Sequence, residues 1–415
     1  MTTIRVPYGR SVATAEVSDR AAVDVIEIEE AAALADPVTA TRQALDEPLG
    51  GFAWRGAASV AIAVNDKTRP VPHSELLPPL LDKLAEAGIG DEAITFYVAV
   101  GGHAPMIAAE FAEILPQEII DRYRVVSHDA SGDLIALGDT SRGTPVVVNR
   151  GYVESDLKVV VGTIAPHQFA GFSGGIKSAA IGLAGLETID RNHAWMADPA
   201  SRIGTYSANP ARQDIEEIGR MIGVDLALNV VLDARRDIVE VLAGDPVAVM
   251  EAGTPLVRQH CQVGVAERYD AVVTSPGGHP KDINVYQAQK AISSAAGIVR
   301  PGGTIVLVAA CPEGSGSAKY ERWVANHTSM EQVLDAFKAE GFRIGPHKAF
   351  QIARDTVDAR LVVCSEMAEE LTGRLLLDAA SDLQSALDDT VDPTDRIAVL
   401  PHATTTIPYV IQSES

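Results

Sequence analysis

The sequence predicts an α/β protein of two domains, and three observations carry that reading. Short β-branched runs recur along the chain, each followed by a Gly/Pro/Asx turn and then by a helical pattern, which is the signature of parallel βαβ units. A length of 415 residues exceeds what one small core organises and suits two domains. Hydrophobic residues make up 47% and charged residues 22%, a balance that excludes disorder, collagen or coiled coil for the bulk of the chain.

Taken in order, the strand runs are ASVAIAV (58–64), ITFYVAV (94–100), DLKVVVGTI (156–164), DAVVTS (270–275) and GTIVLVAA (303–310). Helices fit between them. Asp36-Pro37 supplies a cap and first-turn pair for a helix to Leu45, and Pro72-His73-Ser74 opens a second helix that Gly88 closes. Further helices are expected over 106–122, 211–221, 245–260, 284–296, 329–340 and 381–388. The stretch NVVLDARRDIVEVLAG reads instead as two strands turning at Ala234-Arg235-Arg236. The boundary falls within 255–280 and is set at 265, giving an N-terminal domain of 1–265 and a C-terminal domain of 266–393. The apolar run RIAVLPHATTTIPYV, within 394–415, is expected to return as a strand to the first domain.

The formal net charge of −22 leaves no dense basic face, so a nucleic-acid or anionic-membrane footprint is excluded, though a local basic pocket for a small anion is not. Cys261, Cys311 and Cys364 share no metal or redox spacing and read as reduced, buried thiols. The first residues lack the apolar run of a signal peptide. No segment supplies the roughly 18 consecutive apolar residues of a membrane helix. A cytoplasmic protein is expected.

Four strand runs end in polar loops: NDKTRP (65–70), GGHAPM (101–106), APHQFAGFSGG (165–175) and SPGGHPKDINVYQAQK (275–290). Ligands bind beyond the carboxyl ends of strands in open α/β sheets, so the four loops point to one shared crevice. GFSGGIKS invites a phosphate-loop reading, but Ile176 stands where a Walker A motif needs Gly, and no dinucleotide fingerprint follows a strand. Lys177, between a glycine turn and the apolar SAAIGLAG, sits where an amine can be desolvated for covalent chemistry, against the plainer reading of a surface lysine. His103 and His167 lie in strand-end loops and His193 follows in RNHAWMAD. A lone loop histidine is usually solvated, but three in neighbouring loops suggest acid/base work. No His pair has zinc-hydrolase spacing. His128, His279, His347 and His402 read as structural or supporting. Arg69 and Lys290 are candidates to grip a carboxylate, and Tyr286 and Lys290 share a helical face beside Gln287.

Together, NDKTRP, GGH, APHQFAGFSGGIKS, NHAWM and PKDINVYQAQK resemble the lactate racemase family that depends on a nickel-pincer nucleotide. Order and spacing agree over nearly the whole chain: Lys177 lies 10 residues and His193 26 residues after His167. The resemblance implies a larger N-terminal α/β domain and a smaller C-terminal α/β domain that closes on the substrate, with interdomain helices and the active site in the cleft between them. It implies a pyridinium-3-thioamide-5-thiocarboxylic acid mononucleotide, made by cofactor-synthesis proteins, attached covalently through Lys177 and carrying nickel with His193 as protein ligand. Asp66, Gly174, Gly175, Tyr286 and Phe350 would contact the cofactor or line the site. His103 and His167 would be the paired acid/bases, and Arg69, Gln287 and Lys290 would bind the carboxylate of a small 2-hydroxy acid. The activity implied is a 2-hydroxy-acid racemase or epimerase working by hydride transfer, in an enzyme able to form homo-oligomers. A non-catalytic carrier of the cofactor and a 2-hydroxy-acid dehydrogenase are the alternatives. Two departures stand out: Ile181 replaces the family's usual Pro, and Phe350, in PHKAF, stands where Trp is common.

Overall fold

The computed structural model describes residues 1–28, 31–69, 71–233 and 235–411. Pro70, Ala234 and the last residues of the 394–415 stretch, 412–415, lie outside these. The chain divides into two compact units, one of Glu30–His260 and one of Met1–Glu29 with Cys261–Ser415.

In the Glu30–His260 unit a six-stranded sheet runs in the order Ile238–Gly244, Leu226–Leu232, Leu157–Thr163, Val60–Asn65, Ile94–Ala99, Arg124–Ser127. All neighbours are parallel except the first pair, which is the antiparallel turn expected from 229–244. The central strands Val60–Asn65 and Leu157–Thr163 are almost wholly buried, which is why they read as unbroken apolar runs rather than alternating ones. Leu76, Leu77, Leu80 and Leu84 of the helix His73–Glu86 pack with Val60, Ile62, Val64 and Phe96 of the sheet in one apolar cluster. Local rules set the helix ends. Asp36 accepts the Thr39 N–H at 3.0 Å to start Pro37–Asp46, and Gly223, at φ +75°, ends Pro210–Ile222. The helix expected over 106–122 is instead a short 3₁₀ turn, Ala108–Glu113, and a helix Gln117–Arg122, because Pro116 starts the second element anew.

This sheet has a topological switch. From Val60–Asn65 the chain steps outward through Ile94–Ala99 to Arg124–Ser127, then crosses back to Leu157–Thr163 on the other side and continues outward. The crevice predicted for such a sheet lies beyond Asn65 and Thr163, where the order reverses.

The other unit holds a six-stranded, fully parallel sheet in the order Asp378–Ala380, Arg360–Cys364, Val299–Val308, Tyr269–Thr274, Arg396–Leu400, Ala22–Val25. The structure therefore corrects the expected organisation at both ends of the chain. Arg396–Leu400 pairs with Tyr269–Thr274, and Ile407–Val410 with Gln262–Val265, so the C-terminal run stays with its own unit instead of returning to the first domain. It is the N-terminus that crosses over: Ala22–Val25 adds the edge strand, and the hairpin of Thr2–Tyr8 and Ser11–Val17 packs in a cluster with Val306, Val308 and Val399. Cys261, Cys311 and Cys364 are buried thiols rather than disulfides. Among the described residues no helix is long and apolar enough to cross a membrane.

Candidate active site

The crevice of the Glu30–His260 unit gathers Asp66, Arg69, His103, His167 and Lys177 from loops that leave adjacent strands. Asp66 follows Asn65 directly and is 5% exposed. One of its oxygens, Oδ1, accepts the Thr68 N–H at 3.1 Å and the Thr68 hydroxyl at 2.6 Å, a tight turn that leaves Oδ2 to accept from His103 Nδ1 at 2.7 Å. Burial alone would raise the Asp66 carboxyl, but the bonds from His103 and Thr68 hold it below its ordinary value. The same bond to Asp66 raises the His103 imidazole against the opposing effect of burial. With Nδ1–H committed to the carboxylate, the neutral ring offers the lone pair of Nε2. Gly101, at φ +58°, turns the chain at the end of the strand, and its N–H donates to the Gly182 carbonyl at 2.9 Å, which ties the His103 loop to the segment just after Lys177.

Lys177 begins the short helix Lys177–Ala180 and is 9% exposed. Burial, then the positive charges of Arg69 and Arg212, push its amine well below the ordinary lysine value. Among the described residues no carboxylate pairs with it. The loop before it is built rather than loose. Arg212, fully buried, donates to the carbonyls of Phe172 at 2.9 Å and Gly174 at 3.1 Å while bonding Glu216 at 2.7 Å. Asn229 Oδ1 accepts the Gly175 N–H at 2.6 Å, and Asn65 Oδ1 accepts from the Ser178 hydroxyl at 3.1 Å. Gly174 and Gly175 are held in this loop: the Gly174 carbonyl accepts from Arg212 and the Gly175 N–H donates to Asn229, and a Cβ would fall 2.7 Å from Ile164 Cγ1 and 2.6 Å from Met250 Cγ, so the glycines shape the turn and pack beneath it.

His167 and His193 are brought together through Phe169, whose ring lies 4.8 Å from each imidazole, edge-on to both. His167 Nδ1 accepts the Ala170 N–H at 3.3 Å, so the neutral ring carries its proton on Nε2. His193 ends the helix Leu186–Ala194, an element absent from the expected set because its sequence is largely polar. Asn192, next to it, is anchored to the buried Asp214 at 2.9 Å, and Asp214 also takes the hydroxyls of Thr140 at 2.6 Å and Thr144 at 2.8 Å. His128 is structural, as expected: fully buried, with Nε2 bonded to the Ala184 carbonyl at 2.9 Å.

In the other unit the helix Val285–Ala296 carries Tyr286, Gln287 and Lys290, and Lys290 Nζ donates to Gln287 Oε1 at 2.9 Å. Phe350 is corrected outright. It is 1% exposed and stacks on Phe337 with centroids 4.4 Å apart, so its ring is core packing and presents no surface to a cofactor. Residues that sequence reasoning passed over stand two positions earlier and elsewhere: Lys348, 4% exposed, lies 4.5 Å over the Tyr286 ring and donates to Gln289 at 3.3 Å. Their roles depend on contacts between distant segments, and no local pattern announces them.

Burial, then Lys290 and Arg354, push the Lys348 amine down to about 7. Between that value and the ordinary lysine value near 10.4 the folded state holds fewer protons than the unfolded chain, so stability rises with pH across this window and the penalty is complete below it. Lys348→Met removes a cost on the order of a few kcal/mol. Thermal melts are expected to show the largest gain in Tm at pH 6 and little gain at pH 10; an equal gain at both values would contradict the assignment.

Comparison with known proteins fits this arrangement. A sequence model of the lactate racemase N-terminal domain matches residues 8–204, and one of the lactate racemase C-terminal domain matches residues 265–407. Lactate racemase of Thermoanaerobacterium thermosaccharolyticum is 27% identical over 424 residues, covering 98% of this chain and 99% of that protein. Lactate racemase of Lactiplantibacillus plantarum is 28% identical over 403 residues, covering 94% of each. The structure of the lactate racemase apoprotein from T. thermosaccharolyticum superposes with a TM-score of 0.90 at 26% identity, covering 98% of this chain and 100% of that one. A crystal structure of a Thermotoga maritima protein superposes with a TM-score of 0.67 at 19% identity over 92% of this chain and 100% of its own, and shares the fold. The two domain models take in most of the chain and define its class, an isomerase of two α/β domains. The chain belongs to the lactate racemase family.

Proposed function

We propose that the protein interconverts the enantiomers of a small 2-hydroxy acid, lactate or a close relative, using a nickel-pincer nucleotide held on Lys177. The observation that carries this reading is the placement of an Asp66-held imidazole, a second imidazole and a buried amine on the loops that follow three adjacent strands of one sheet, in a chain of this family. A buried lysine without a carboxylate partner fits an amine consumed in a covalent link. His193, beside the Phe169 ring, fits a single protein donor to nickel: among the described residues no group of three or more His, Cys, Asp or Glu side chains is disposed to hold a metal, so the remaining donors would come from the bound group.

Removing the C2 proton of a 2-hydroxy carboxylate as an acid is difficult, because the resulting charge sits beside an existing carboxylate. A bound pyridinium mononucleotide would supply an electrophilic ring, a sink for the C2 hydrogen and its electron pair. The chain's own residues do the rest. His103 Nε2 accepts the hydroxyl proton of one enantiomer, with Asp66 steadying the imidazolium that forms. His167, in its imidazolium form, returns a proton from Nε2 to the oxygen of the planar 2-keto acid and is left as the neutral ring. Once the protons have moved, the two imidazoles have exchanged roles, which suits a reaction that must run from either enantiomer. Arg69 offers a planar fork to the substrate carboxylate, and Gln287 and Lys290 are proposed to bind it as well.

The test uses protein produced beside the cofactor-synthesis enzymes and lactate deuterated at C2. Racemisation is expected to slow when the C2 bond limits the rate, with the label retained at C2 in both enantiomers. Rapid loss of deuterium to water would overturn the proposed route.

A further inference from the structure

His347 stands at the start of the helix Pro346–Thr356, one residue before Lys348. Its Nε2 lies 3.4 Å from the Tyr286 hydroxyl, with the two rings nearly perpendicular at 5.8 Å. Its other nitrogen, Nδ1, accepts the Gly345 N–H at 3.1 Å. A neutral imidazole has one N–H, and with Nδ1 occupied as an acceptor that proton resides on Nε2. Nε2–H therefore donates to the phenol oxygen. A phenol has a single proton of its own, so an oxygen that accepts from His347 must direct its O–H elsewhere.

We propose that His347 is a positioning residue that fixes Tyr286 as a hydrogen-bond donor to an oxygen of the bound 2-hydroxy acid, an inference that rests on the reading of Tyr286 as a site residue. Three contacts hold the phenol in this sense. His347 occupies one side of the oxygen, Lys348 lies 4.5 Å over the ring face, and the Val285–Ala296 helix fixes the stem. Phe342 packs 5.4 Å from the imidazole, and the His347 backbone N–H donates to the Arg343 carbonyl at 3.2 Å, so the residue is held from its own segment as well. Burial pushes the His347 imidazole down to about 3 and raises the Tyr286 phenol, so neither group changes state near neutral pH and the direction of donation is constant.

A double-mutant cycle on the loaded enzyme tests the coupling. Tyr286→Phe is expected to lower kcat/KM about tenfold, the size of one lost hydrogen bond to a charged oxygen. His347→Phe should cost a similar factor, and the double variant no more than either. His347→Gln keeps an N–H donor within reach and should recover most of the loss. A double variant whose losses multiply to about a hundredfold, or a His347→Phe enzyme with parental activity, would overturn the proposal. Nitrogen-15 spectra of the apoprotein provide a readout free of turnover: the His347 ring should carry its proton on Nε2, and an Nδ1–H tautomer would overturn the proposal whatever the enzyme converts. A parent that carries the Nε2–H tautomer yet racemises no 2-hydroxy acid would instead defeat the functional reading, and this proposal with it.

Discussion

Lys177→Met protein, produced beside the cofactor-synthesis enzymes, should fold, carry no added mass, hold no nickel and show racemase activity no greater than background. The expectation follows from what surrounds the amine. Burial with Arg69 and Arg212 nearby makes the charged form costly, so the neutral, nucleophilic amine is favoured over what an exposed lysine offers. Methionine keeps the volume and is easier to bury than an ammonium, so loss of activity in this variant cannot be laid to unfolding, and its Tm should equal or exceed that of the parent. Intact-mass spectra and nickel content read the result directly. His193→Ala should separate the two functions, retaining the organic adduct while losing nickel, because a ligand and a covalent anchor fail differently. A parent protein that is fully active with no adduct on Lys177 would sink this account.

What the sequence made legible was whatever burial writes locally. VAIAVN and LKVVVGT are apolar throughout because parallel strands are covered on both faces, and the polar loops that follow them stand out against that background. The helix His73–Glu86 and the two-strand reading of 229–244 were legible for the same reason. Sheet membership was not. RIAVL announces a buried strand, but nothing in it distinguishes pairing with Tyr269–Thr274 from pairing in the other unit, and the edge strand AVDV is too short and polar to announce itself at all. The site shows the same division. His103 and Lys177 stood out by loop position and motif, whereas Arg212 reaches back 40 residues to the Phe172 carbonyl and 38 to that of Gly174, and Lys348 reaches 59 to Gln289. Such roles are fixed by tertiary approach. Phe350 shows the converse hazard, since a motif position suggested a ligand contact where packing against Phe337 had already claimed the ring.

Replacing His103 by Ala should depress turnover by roughly two to four orders of magnitude with adduct and nickel retained, the usual loss for a general base. Asp66 makes the sharper test, because it acts on His103 through charge and through geometry at once. The carboxylate favours the imidazolium, so the parent's base form appears only above a value raised from the ordinary imidazole figure of about 6.5, and kcat/KM should climb with pH through that raised value. In Asp66→Asn the charge is gone and the reason for the elevation with it. The ascending limb should therefore move to lower pH, while the plateau falls, because an amide no longer compels Nδ1 to carry the proton and leaves Nε2 in the wrong form for part of the time. A purely structural role for Asp66 predicts a lower plateau with an unmoved limb. The direction of the shift is thus the decisive reading. If the limb stays where it is, or moves to higher pH, His103 is not the base whose titration limits the reaction, and the pairing seen at 2.7 Å serves the turn alone.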